Sequence, residues 1–206
     1  MTHQHDGFET QKNAPGTDLA HTFAPATDAT GAAVGTYAHP HSDTILTAVT
    51  DILQQTESGR YMLQVMHHYK ISARVIKGRD VTYQNPDEFS VVLVAPEKFQ
   101  AQIELLAMYL YCGIRDVEQS YCGFRRPDAA TMNAVEFSNL IFSKGFDIVI
   151  HSFRIADELY ARYGHQKVLD KINELGHNDL YKAYKSGADL SSLQNLYLEK
   201  EYEAVN

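Results

Sequence analysis

Ser72 to Pro96 reads "SARVIKGRDVTYQNPDEFSVVLVAP", and its period differs from everything around it. "SARVIKG", "VTYQN" and "SVVLVA" are short and rich in β-branched residues, and they are separated by Gly78, by Arg79-Asp80 and by Asn85-Pro86-Asp87. Such runs bounded by turn residues predict three strands. The unbroken apolar run Val91 to Ala95 predicts the most buried of them.

Outward from this island the spacing becomes helical. Upstream, Ile45, Leu46, Val49, Ile52 and Leu53 fall on one helical face, with Ser42 as the expected N-cap and Asp43 in the first turn. Ser58-Gly59 is the expected break, and a second helix is expected from about Gly59 to Tyr69. Downstream, Pro96 suits a helix start and Glu97 the positive end of its dipole. That helix carries Phe99, Ile103, Leu106, Leu110, Ile114 and Val117, and ends near Cys122-Gly123. Another is expected from Pro127-Asp128 to Tyr163, with Gly145 as a weak point and Val135, Phe142, Phe146, Val149, Phe153, Ala156 and Tyr160 as its apolar stripe. Gly164, Gly176 and Gly187 punctuate shorter helices, the last of them "SSLQNLYLEKEYEAV". The expected class is α+β, a small three-stranded sheet packed against a mainly helical C-terminal part. Residues 42–206 are expected to form a single domain. Residues 1–41, rich in Ala, Thr, Pro, Gly and His, are expected to be a disordered tail, because such a stretch buries too little surface to offset its ordering entropy.

Composition removes several functions. The 206-residue chain carries a net charge of -8, and Arg125-Arg126 and Lys182/Lys185 are too small to form a phosphate-binding surface, so no nucleic-acid partner is expected. "MTHQHDGFET" lacks the pattern of a secretory signal, and no continuous apolar run is long enough to span a membrane. A cytoplasmic location follows by default. Cys112 and Cys122 are too few for a disulfide framework. The H-x-H pairs His3/His5 and His39/His41 sit in the expected tail, which fixes no coordination geometry. There is no G-x-x-x-x-G-K-[ST], G-x-G-x-x-G, G-x-S-x-G or C-x-x-C, and no cofactor is implied.

The order of elements, "SGRYMLQVMHHYKISARVIKG", then "VTYQNPDEFSVVLVAP", then "FQAQIELLAMYLYCGIRDVEQ", resembles the front half of zincin-type metallopeptidase domains, in particular a bacterial family of them. Tyr83-Gln84-Asn85-Pro86 and Val91 to Val94 match the strand and turn that precede the motif helix, and Leu105-Leu106-Ala107 matches the lead-in to it. Gln119 resembles a glutamine that often follows the motif. "AVEFSN" (Ala134–Asn139) and "ADELYARYG" (Ala156–Gly164) fall where the family carries later acidic strings, so the resemblance covers about residues 43–165. It implies a zincin-like fold. The motif itself, His-Glu-x-x-His, is absent. It works by aiming two histidines at one zinc ion while the glutamate polarises the metal-bound water. Those positions are Met108, Tyr109 and Cys112, of which only Cys112 is a zinc ligand type, and of the later acidic string Glu136 remains.

Other candidates lie on the long helix. Glu136, Ser143, Asp147, His151, Arg154 and Glu158 share one face, read as a solvated stripe of ion pairs, in which Asp147 and His151 are spaced to share a metal or a proton. His67-His68 are adjacent, which predicts one buried and one exposed. Thirteen tyrosines, with Tyr109, Tyr111 and Tyr121 on the central helix, suit either a core or an interface. The leading expectation is a non-catalytic zincin-like protein that binds another protein or itself. The alternatives are a hydrolase with a non-standard metal site from Cys112, Glu136, Asp147 and His151, and a small-ligand binder using the remnant cleft.

Overall fold

The central strand β3 (Ser90–Ala95) lies between β1 (Ser72–Lys77) and β2 (Thr82–Gln84) in a computed structural model that describes residues 39–87, 89–124, 130–164 and 166–203. β1 runs parallel to β3, from Ser72 opposite Ser90 to Lys77 opposite Ala95. β2 runs antiparallel, with Thr82 opposite Val94 and Gln84 opposite Val92. After β1 the chain skips one place, makes β2 at the far edge and returns as the middle strand. A parallel pair needs such a crossover. The central position explains the unbroken apolar run, since β3 buries both faces. Val91, Leu93 and Ala95 join the main core, while Val92 and Val94 meet Ile76 on the other side.

The free edge of β1 is covered where the chain enters. His39 N donates to Val75 O at 2.9 Å, and Val75 N donates to the Ser42 hydroxyl at 3.2 Å. An edge strand with its polar groups engaged is a poor template for aggregation. Two expectations are corrected here. Ser42 is the first residue of α1 (Ser42–Gln54) rather than its cap, because its hydroxyl serves β1. His39 to His41 belong to the fold rather than to a tail: His39 is buried, with Nε2 3.3 Å from Pro96 O. The expectation of a tail over residues 1–38 lies outside the described residues.

Helix α2 (Glu57–His68) starts before Gly59, because the Thr56 side chain caps it by accepting from Gly59 N at 3.1 Å. The break falls at Gln55-Thr56, and Ser58-Gly59 is helical. Gly59 is required by proximity, since a Cβ there would overlap Leu53 O. Helix α3 (Ile103–Tyr121) begins well after Pro96. Residues 96–99 act as a strap instead: Glu97 pairs with Lys77 at 2.9 Å and Phe99 enters the core. From Leu106 to Ile114 every residue of α3 is buried, so this helix is central rather than amphipathic.

Helix α4 (Ala134–Tyr163) opens with a capping box. Asn133 Oδ1 accepts from Val135 N and Glu136 N at 3.1 and 3.0 Å, and Asn133 N donates to Glu136 Oε2 at 3.3 Å. The expected start at Pro127-Asp128 lies outside the described residues. Gly145 does not weaken α4; it makes room for the Tyr197 hydroxyl. Gly164 ends the helix at φ 70°, a left-handed conformation that glycine adopts without strain. Of the expected stripe, Phe142 to Ala156 are buried, while Val135 and Tyr160 at the two ends are exposed. α5 (Lys167–Glu174), α6 (Asn178–Lys185) and α7 (Leu190–Glu203) complete the chain, and one apolar cluster runs from Ile45 to Tyr197. Among the described residues no helix is long and apolar enough to cross a membrane.

Candidate functional site

Met108, Tyr109 and Cys112, which the expected resemblance sets in the place of zinc ligands and a general base, are packed into the core of α3. Met108 and Cys112 have no exposed surface and Tyr109 is 3 % exposed. Burial, with Asp116 nearby, pushes the Cys112 thiol well above its usual range. Burial likewise pushes up the Tyr109 phenol.

Tyr111, Arg115, Glu118 and Gln119 form a polar stripe on α3, which meets α4 through Tyr111, Arg115 and Gln119. Arg115 Nε and Nη2 grip Asp147 in a fork, at 2.7 and 2.9 Å, while Nη1 donates to Glu118 Oε2 at 2.6 Å. Gln119 Nε2 also donates to Asp147, at 2.7 Å. Tyr61, on α2, donates to the other oxygen of Glu118 at 3.2 Å. Burial pushes the Asp147 carboxyl up, but Arg115 and Gln119 outweigh it and hold it below the usual range. The Arg115 side chain is only 19 % exposed, so the fork is well shielded from water.

One turn further along, the Tyr111 hydroxyl lies 2.9 Å from His151 Nδ1, and His151 Nε2 lies 3.8 Å from Asp147 Oδ1. Burial depresses the His151 pKa despite Asp147, with Arg115 and Arg154 adding to the effect, while burial raises that of Tyr111. A neutral imidazole accepting from a phenol follows from these directions. Only the phenol–imidazole contact is at hydrogen-bonding distance; the 3.8 Å gap to Asp147 is too long for the orienting bond that an activated nucleophile uses. The Tyr111 hydroxyl is closed off from solvent, with Tyr111 only 1 % exposed.

The rest of the α4 stripe continues the seam. Glu158 accepts from Ser58 N at 3.0 Å and from the Ser58 hydroxyl, and Arg154 lies 3.6 Å from Glu158 and 3.8 Å from Glu57. Lys144 pairs with Asp116 at 3.0 Å, and Asn85 donates to Asp116 at 2.7 Å. The expected face is real, but its middle is an interface with α2 and α3 rather than a solvated surface. Of the four proposed metal-site residues, Asp147 and His151 come together. Glu136 is committed to the capping box and Cys112 to the core. Among the described residues no three His, Cys, Asp or Glu side chains are placed to hold a metal ion. The sequence reading missed Arg115 and Glu118. Their signal was present: Tyr111, Arg115 and Gln119 recur every four residues on an otherwise apolar helix.

A second feature lies where α2 and α3 end. Tyr69 and Tyr121 stack at 4.2 Å and 17°, Phe89 sets its edge to Tyr121 at 6.0 Å, and His68 sets its edge to Tyr69 at 4.7 Å. Phe89 is 54 % exposed and Tyr121 38 % exposed. His67 and His68 are both exposed, contrary to the expected split. Compared with protein-family models, with curated proteins and with solved structures, the chain matches none.

Proposed function

We propose that this chain is a zincin-like protein that does no catalysis and works by binding another protein or a second copy of itself. The observation that carries this reading is the burial of Met108, Tyr109 and Cys112 together, in the place of a metal motif. A catalytic zinc site needs three protein ligands and an open position for water. Here the one thiol of the three sits in a closed environment. The adjacent polar groups are engaged with one another in the Arg115–Asp147–Glu118 network, which leaves this seam as the joint between α3 and α4. The aromatic cluster of Tyr69, Phe89 and Tyr121 supports the binding half of the reading, since exposed tyrosine and phenylalanine are enriched at interfaces.

Metal content tests it, measured by mass spectrometry on untagged chain dialysed against zinc. The expected result is no zinc that depends on Cys112 or His151. About one zinc per chain, lost in Cys112→Ser or His151→Ala, sinks the proposal. Light scattering across concentration then tests self-association, which a rising mass supports and a constant monomer counts against, leaving a different partner as the binding mode to test.

A further inference from the structure

Helix α7 meets the rest of the molecule along a single stripe. Its buried residues are Leu193, Tyr197 and Glu201, and the positions between them are exposed or half-buried. In α3, by contrast, every residue from Leu106 to Ile114 is buried. Tyr197 fits its hydroxyl into the notch at Gly145 and sets its ring 5.6 Å from that of Phe146 and 6.1 Å from that of His177. α7 also carries its own cap, since Asp189 accepts from Ser192 N at 3.0 Å and from the Ser192 hydroxyl at 2.9 Å. The turn before it passes through Gly187 at φ 80°. The helix is therefore built to move as a unit, and once undocked a helix of this length is marginal in water and exposes its amides.

The polar end of the stripe depends on one lone pair. Lys200 Nζ donates to Leu175 O at 2.8 Å and lies 3.0 Å from His177 Nδ1. An ammonium has donors only, so Nδ1 accepts, and an imidazolium has no acceptor to offer. A proton at Nδ1 replaces this bond with two adjacent cations, at a place where His177 is 1 % exposed. Around His177, α4 supplies the Phe153 ring, α5 the Ile172 carbonyl that accepts its backbone N–H, and α7 the Tyr197 ring and Lys200. Glu201, 4 % exposed, lies 3.6 Å from Lys200, and its Oε1 has no hydrogen-bond partner among the described residues. Burial, with Lys200 beside it, lowers the His177 pKa from 6.5, so docking is favoured above that value and weakens as pH falls. Burial raises the Glu201 pKa, so its protonation favours docking and opposes His177.

We propose that α7 is an acid-released clasp: a proton on His177 breaks the Lys200 bond and frees α7 from the helices beneath it, uncovering Gly145 and Phe146, while the sheet and α1 to α4 stay folded. Amide hydrogen exchange on the full chain, corrected for the intrinsic exchange rate at each pH, tests it. In the native chain the amides of Leu193 to Lys200 are expected to open more readily than those of Leu106 to Ile114, and their protection is expected to fall as pH drops below 6.5. In Glu201→Gln, which lacks the opposing carboxyl, that fall is expected to reach about tenfold per pH unit, because each opening takes up one proton. In His177→Gln, whose amide oxygen still accepts from Lys200, the fall is expected to disappear. Equal protection in α7 and α3 means that α7 leaves only when the whole chain unfolds, and overturns the proposal. So does α7 protection in Glu201→Gln that does not fall with pH, or a fall that persists in His177→Gln. The first two readings need no change at His177, so they decide the matter even where His177→Gln does not fold.

Discussion

At the scale of single residues, the two cysteines show how environment decides chemistry. Cys112 is buried and Cys122 is exposed. A thiol reagent is expected to modify Cys122 in the native chain and Cys112 only after unfolding, read by mass spectrometry with and without denaturant. Rapid native labelling of Cys112 would contradict the closed core. Asp147 is the other test. Asp147→Ala leaves Arg115 half satisfied, and removing one partner of a shielded pair costs about 2 kcal/mol, read by urea unfolding. The carboxyl's folded pKa is lowered from 3.8, so its contribution is present above that value and is lost as pH falls through the folded pKa. The variant is therefore expected to lose less stability than the native chain on acidification below about pH 4.

At the scale of elements, close approach sets the fit of α3 on the sheet. A Cβ on Gly113 would lie 2.6 Å from Val91 Cγ1 and 3.1 Å from Tyr83 Cδ2. Helix propensity alone would make Gly113→Ala stabilising by about 1 kcal/mol. Overpacking costs about 1–3 kcal/mol and acts against it. The expected outcome is net destabilisation by thermal unfolding, partly relieved when Val91→Ala is added, so that the two changes are not additive. The joint between α5 and α7 is held by Lys200, whose Nζ donates to Leu175 O at 2.8 Å and to His177 Nδ1 at 3.0 Å. Burial, with Lys200 beside it, lowers the His177 pKa from 6.5 to about 3. A depressed histidine contributes stability above its unfolded pKa and loses it as pH falls. Between pH 6.5 and about 3 the unfolded chain takes up the proton first, costing about 1.4 kcal/mol per pH unit. His177→Gln is expected to flatten that slope in urea titrations at several pH values, and an unchanged slope would remove His177 from the account.

At the scale of the whole molecule, the proposed binding role predicts a separation of association from stability. Phe89 and Tyr121 are well exposed, so Phe89→Ser/Tyr121→Ser is expected to cost about 1 kcal/mol or less in unfolding. If the chain self-associates through this cluster, the same variant reduces its mass by light scattering to that of a monomer. If it binds a different protein, the native chain is already monomeric and the variant loses that partner. Association that survives the double change would move the interface elsewhere.

The α+β class was legible in the residues, because the period changes at Ser72 and changes back after Ala95, and periodicity is a local property. The burial of Val91 to Ala95 and the helix end at Gly164 were legible for the same reason. Strand order was not. Nothing local says that β3 enters between β1 and β2, since pairing depends on which edges meet after the chain turns. The starts of α1 and α3 moved because Ser42 and Glu97 found partners that only the folded chain supplies, whereas the start of α2 was set by a local cap, Thr56 on Gly59 N, that the sequence reading passed over. The candidate site shows the same division. The residue types at Met108, Tyr109 and Cys112 are incompatible with the motif by themselves. That Arg115 takes Asp147 and that Cys112 is sealed in the core were decided by the packing of α3, whereas Glu136 is held by a local capping box with Asn133. Side-chain type is written in the chain, but the partner that satisfies a buried charge is set by tertiary geometry.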